Sequence, residues 1–204
     1  MLQDVWLAID ERRYGQAEAM LQGNEDLCPT RAGQMALGYI LSHTGRHGEA
    51  REVFANLREQ HRGDEWEHIA VHQQGRVERL AGEHRKALAF FAEERQLIEK
   101  CSEDPHKLAA NAFEAAQCQM ALLQLKEARH SLIEALERAR QHDDPETLGR
   151  AERGLAELSL LEGHPDAAKL HLERAQRQPV LHVSGMFPAE RGCLAVVWWR
   201  GGEE

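Results

Sequence analysis

The strongest constraint on how this chain can fold is a phrase that recurs along it, clearest between Leu158 and Leu172: an apolar helix end, Gly163, a two-residue turn, then Ala168 and Leu172. The same phrase occurs as Gly45, Ala50 and Phe54, as Gly82, Ala87 and Phe91, and as Leu123, Ala128 and Leu132. A fainter copy has Arg12 in the glycine slot, followed by Ala17 and Leu21. The alanines recur at intervals of about 33 to about 40 residues, the range of helical solenoids. The expected fold is therefore all-α, a stack of helical hairpins forming one elongated domain.

The physics of the unit explains its residues. A glycine just past a helix takes the left-handed conformation without steric cost, ends the first helix and lets the chain return as a second. The following alanine is expected where the two helices come closest, a site where enlargement typically costs about 1–3 kcal/mol. One turn further on, the Phe or Leu lies on the same face and fills the space between hairpins.

Composition narrows the function classes. Charged residues make up 29% of the 204 residues and are spread along the chain, as on a repeat protein with much solvated surface. The net charge of -9 argues against a nucleic-acid partner, because phosphate binding relies on clustered Lys and Arg, and no such run here exceeds two residues. Cys28, Cys101, Cys118 and Cys193 stand far apart without CxxC spacing and read as reduced thiols. With no basic start followed by an apolar run, and a longest apolar stretch, Cys193 to Trp199, too short to span a bilayer, the expectation is a cytoplasmic protein without membrane contact.

Helix signals divide the chain into hairpins over about 2–22, 29–61, 65–100, 105–141 and 145–176. The first is clipped, with apolar Leu2, Val5, Trp6 and Ile9 at helical spacing and a second helix over Tyr14 to Gln22. Pro29 suits a first helical turn, Asp64 an N-cap, and Asp104-Pro105 and Asp144-Pro145 open two later helices one repeat apart. The repeat domain is expected over 1–178. Residues 179–204 lose the pattern and stay open to three readings: a loosely ordered tail, a cap on the last hairpin, or an intramolecular ligand.

At this point the residues resemble a tetratricopeptide repeat protein. Leu37, Gly38, Leu41, Gly45, Ala50 and Phe54 meet that family's pattern best; Leu155, Ala156, Gly163, Ala168, Leu172 and Ala175 follow it, as do Ala115, Ala116, Ala128, Leu132 and Ala135. Departures are Arg62 in place of a closing proline, Gln74 and Glu94 at two family positions, and the absence of a turn glycine in the fourth hairpin. The long spacing and Asp-Pro starts look like the variety found in kinesin light chains and bacterial peptide-sensing regulators. The resemblance implies a right-handed superhelical solenoid of antiparallel helix pairs, acting as a protein- or peptide-binding module.

No catalytic signature is present: no GxSxG, no GxxxxGK[ST], and no GxGxxG after a strand. His68 and His72 are four apart on one helix, and His43 and His47 have the same spacing across a turn, but neither pair has an obvious third ligand. Neither enzyme activity nor a metal or other cofactor is expected.

What remains is the surface. The family's groove positions correspond here to Met35, Tyr39 and His43, to His72, Arg76 and Arg79, to Phe113, Glu114 and Gln117, and to Arg150, Arg153 and Glu157, with Asn111 nearby to hydrogen-bond a peptide backbone. Each would otherwise be an ordinary solvated helix residue. The four arginines put positive charge on an acidic protein, which suggests a partner segment with Asp, Glu or a free carboxyl end. The family's chaperone-tail clamp is not matched, since Ala32, Ala36, Ile69, Gln73, Ala110 and Glu114 hold its places. Two alternatives stand beside the binding module. One is a peptide-sensing regulator, against which the chain's opening inside a repeat weighs; the other is a homodimeric scaffold joined through apolar ends at Val5 and Trp6 or at Trp198 and Trp199.

Overall fold

The structure is a computed structural model that describes residues 1–101 and 106–177. The described residues form ten helices and no strand: α1 (Leu2–Asp10), α2 (Tyr14–Gln22), α3 (Arg31–His43), α4 (His47–Gln60), α5 (Glu67–Leu80), α6 (His84–Cys101), α7 (His106–Ala121), α8 (Leu125–Gln141), α9 (Pro145–Leu161) and α10 (Pro165–Gln176). Their contacts gather into two compact units, one over Met1–Ala81 and one beginning at Gly82. In the first, α1 to α5 each pack on the next, and α1 and α5 both touch α3. In the second, α6 to α10 do the same, and α7 touches α9. Among the described residues no helix is long and apolar enough to cross a membrane.

The repeated phrase acts through one backbone geometry. Gly45, Gly82 and Gly163 have φ of 80°, 80° and 78°, and a Cβ at any of them would meet nothing within 4 Å. Glycine is therefore favoured there by backbone conformation rather than by space. Arg12 and Leu123, in the same slot, also take positive φ, 56° and 58°. In each case where both bonds are seen, the turn closes the preceding helix twice. Arg12 and Arg13 donate to the Ile9 and Ala8 carbonyls (2.9 and 2.8 Å), Leu123 and Gln124 to those of Met120 and Gln119 (2.9 and 2.9 Å), and Gly163 and His164 to those of Leu160 and Ser159 (3.0 and 2.8 Å).

The next residue then starts the returning helix. The carbonyls of Arg13, Arg46, Glu83, Gln124 and His164 accept from the N–H groups of Ala17, Ala50, Ala87, Ala128 and Ala168, at 2.9–3.1 Å. The five-residue offset from turn residue to alanine is thus the distance to the first closed turn of the second helix. These alanines are 0–2% exposed. Leu21, Phe54, Phe91 and Leu132, one turn on, are likewise buried, whereas Leu172 in α10 is 44% exposed. Gly38 serves a different need: a Cβ there would lie 2.3 Å from Phe54 Cζ, so α3 and α4 meet through bare backbone against a ring.

Several helix starts differ from the sequence expectation in detail. Asp144 caps α9 as expected, accepting from the N–H groups of Glu146 and Thr147 at 3.1 and 3.0 Å, with Pro145 in the first turn. Pro29, however, precedes the cap of α3, which is Thr30, whose hydroxyl oxygen accepts from Gly33 N–H at 3.0 Å. Asp64 accepts from Trp66 N–H at 2.6 Å and so orders the turn before α5 rather than capping the helix. Asp104-Pro105 and the segment 178–204 lie outside the described residues.

Within each unit, charged side chains tie neighbouring hairpins together. The residue after the repeat alanine pairs with the following hairpin at Glu18–Arg46 (2.7 Å), Arg51–Glu78 (2.7 and 3.0 Å) and Arg129–Glu162. Backbone conformation at the turn yields a direct test. Replacing Leu123, 73% exposed and left-handed, with glycine should raise stability by about 0.5–1 kcal/mol, the left-handed penalty less the added chain entropy. Gly45→Ala should lower it by about 1 kcal/mol. Urea midpoints at unchanged slope would report both, and equal midpoints for Leu123→Gly and wild type would contradict the strain argument.

Candidate functional site

In the first unit, side chains from four helices meet around Tyr39. On α3, Tyr39 and His43 are one turn apart and stack at 4.0 Å between ring centroids, with 19° between planes. Trp6 from α1 approaches Tyr39 edge-on at 6.0 Å, and Tyr14 from α2 lies 5.9 Å from the His43 ring. From α5, the Arg76 guanidinium sits over the Tyr39 ring at 5.5 Å, within the range of cation–π attraction. Tyr39, His43, Arg76 and Arg79 are all partly exposed.

The electrostatics of this cluster centre on His43. Its Nδ1–H donates to the Tyr39 carbonyl at 2.9 Å, which leaves Nε2 as the proton-accepting nitrogen. Burial holds the imidazole below its ordinary value of 6.5; the Tyr39 carbonyl opposes that, and the positive charges of Arg76, Arg79 and Arg12 add to the lowering. Tyr14 is pushed up, first by burial and then by Tyr39, with Arg12 acting the other way.

The remaining expected residues of this unit fall elsewhere. His72 is 1% exposed, and His68, one turn before it, is also buried. Trp6 and Tyr14 belong to the cluster although the sequence reading did not place them there. Their signal was available only as one aromatic residue in each helix of the first hairpin. The unpaired apolar end expected at Val5 and Trp6 is corrected: Val5 is fully buried and Trp6 packs in the same core cluster as Tyr14 and Tyr39. Trp198 and Trp199 lie outside the described residues.

In the second unit three of the expected residues, Phe113, Glu114 and Arg150, are engaged with one another. Glu114 is fully buried and accepts from Arg150 at 2.8 Å, while the Arg150 guanidinium stacks over Phe113 at 4.3 Å. Arg150 therefore balances the charge of an internal carboxylate. Asn111, 2% exposed, donates through its side-chain amide to the Phe91 carbonyl at 2.8 Å and to Glu94 at 2.7 Å. These bonds place it in the core and give the family departure at Glu94 a partner. Gln117 is partly buried, its amide nitrogen 3.6 Å from where a Cβ on Gly154 would stand. Arg153 and Glu157 are exposed.

Among the described residues no three His, Cys, Asp or Glu side chains come together as a metal site. Cys28 and Cys118 are free thiols. A separate feature is apolar: Leu160, Leu161, Leu170 and Leu172 on α9 and α10 are 58, 50, 48 and 44% exposed. A scan of the sequence against protein-family models finds no match. A search of curated proteins finds none either.

The depressed His43 implies a pH dependence of known sign. The unfolded chain gains this proton near 6.5 and the folded chain only lower, so stability falls as pH drops through that value. Between about pH 7.5 and about pH 5.5, wild type should lose more stability than His43→Gln, which has no proton to gain. Urea midpoints at both pH values would show it, and parallel losses would place the acid sensitivity elsewhere.

Proposed function

We propose that this chain is a non-catalytic protein- or peptide-binding module of the tetratricopeptide-like kind, a right-handed solenoid working in the cytoplasm, with the Tyr39 cluster as a principal anchor. The observation that carries this reading is the convergence of partly exposed aromatic and arginine side chains from four helices onto one place. Aromatic rings and arginine supply most of the affinity in many interfaces because they bring large rigid area and a fixed donor fork at small entropic cost. Five repeats of one turn geometry and all-α packing are compatible with the proposed solenoid, and free Cys28 and Cys118 suit a reducing compartment. The preferred partner is an acidic segment or one with a free carboxyl end, complementary to Arg76 and Arg79. In the second unit the exposed Arg153 and Glu157 on α9 are the proposed contacts.

A second reading has its own observation. The exposed leucines of α9 and α10 would favour self-association, giving a homodimeric scaffold. Light scattering over a range of protein concentrations distinguishes the two: a mass that doubles with concentration and returns to monomer in Leu170→Glu supports the scaffold. A constant monomer mass removes it.

The binding module is tested by affinity capture from lysate of the source organism, comparing wild type with Arg76→Glu and Arg153→Glu. Circular dichroism would first establish that both variants keep their helices. A partner held by wild type and lost with Arg76→Glu is the expected result. If the same proteins are retained by both variants, neither arginine anchors the partner and the proposed surface is wrong.

A further inference from the structure

Resting on the binding-module reading, we infer that the cluster of Tyr39, His43, Arg76 and Arg79, with Arg12 at its rim, is a site for a carboxylate beside an aromatic ring on an acidic peptide, and that it receives the carboxylate with His43 protonated.

The chemistry follows from what surrounds the imidazole. Arg12 comes from the turn between α1 and α2, Tyr14 from α2, Tyr39 from His43's own helix, and Arg76 and Arg79 from α5. Among the described residues the charges that weigh most on His43, those of Arg76, Arg79 and Arg12, are all positive, and Tyr14 beside it is pushed further toward its neutral form. Arg76 and Arg79 also hold other contacts in the fold, so a ligand meets a field shared among three guanidiniums rather than a vacant pair. On a chain with net charge -9, this is a local reversal of sign. The rings of Tyr39 and His43, backed by Trp6 and Tyr14, give an aromatic group a surface to stack on beside that charge.

The proton has a defined place and source. With Nδ1–H held by the Tyr39 carbonyl, solvent protonates Nε2, and the new Nε2–H donates to the incoming carboxylate. In the free protein burial opposes this step first and the guanidiniums add to it; a bound carboxylate offsets their repulsion and favours it. Binding therefore takes up a proton. Affinity rises as pH falls through the ordinary imidazole range, until the peptide's own carboxylates protonate near about pH 4. A His43 midpoint raised by about one pH unit corresponds to about tenfold tighter binding below both midpoints than above them.

The test uses the full chain with labelled histidine, following ring resonances by NMR across pH, with His43→Gln to assign the signal and exposed His130 as a reference. The probes are N-acetyl-Glu-Tyr-Glu amide and its Gln-Tyr-Gln counterpart. The expected result is an upward-moving His43 midpoint with the Glu peptide only, a still His130, and affinity that tightens on acidification in wild type but stays level in His43→Gln. Binding of the Glu peptide that depends on Arg76 yet leaves the His43 midpoint in place would overturn the proton-coupled site while leaving the binding module standing. Equal affinity for the two peptides would overturn the carboxylate assignment, and no binding of either would overturn the inference as a whole. Lysate capture judges the wider reading independently of these outcomes.

Discussion

Each described hairpin depends on one residue in the left-handed conformation. At that residue the chain must end one helix, reverse, and start another without leaving backbone groups unpaired. The bonds at Arg12 and Arg13, and again at Leu123 and Gln124 and at Gly163 and His164, do this by closing the last turn twice while the second residue's carbonyl opens the next helix. An L side chain at such a φ costs roughly 1–2 kcal/mol. That Arg12 and Leu123 nonetheless hold it shows that packing of the paired helices over-determines the turn.

Once the turn is set, the positions that follow have little freedom. The alanine lies in the first turn of the returning helix and is buried there, and Phe54, Phe91 or Leu132 one turn later reaches into the core. Gly38 and Gly154 show how close this approach becomes, since a Cβ at either would fall within 2.3 or 2.6 Å of Phe54 or Leu132. Between successive hairpins the apolar contact is joined by ion pairs such as Arg51–Glu78, whose carboxylate is 6% exposed and held by two bonds. A pair of this geometry fixes register more than it adds net stability, because desolvating Glu78 offsets much of the attraction.

Charges taken into the interior are matched there by partners from other helices. Glu114 with Arg150, and Glu94 with Asn111, satisfy polar groups that the fold has taken out of water. In the first unit Arg76 lies over a partly exposed ring, and burial, with the charges of Arg76, Arg79 and Arg12 adding to it, disfavours a proton on His43. Among the described residues, three positive charges thus act together at one place on an acidic protein, and local field rather than net charge governs how a given surface behaves.

What the sequence by itself determined was local. The ends of α2 at Tyr14 and Gln22 and of α10 at Pro165 and Gln176, the left-handed slots at Arg12 and Leu123, and the cap at Asp144 all follow from hydrogen bonds among residues close in the chain. Starts expected at Pro29 and Asp64 fall one and two residues later, because the Thr30 hydroxyl caps α3 and Asp64 orders the turn that leads to the cap position at Trp66. Only the tertiary structure decided which candidate side chains stay at the surface and which serve the core. Spacing put Asn111, Arg150 and His72 on the same footing as Tyr39 and His43, but their partners come from other helices: Asn111 turns to Phe91 and Glu94, Arg150 to Glu114, while Trp6 and Tyr14 join Tyr39 and His43. Helical periodicity specifies a face; the rotation and approach of the neighbouring helix, set by all the packing contacts together, determine what that face meets.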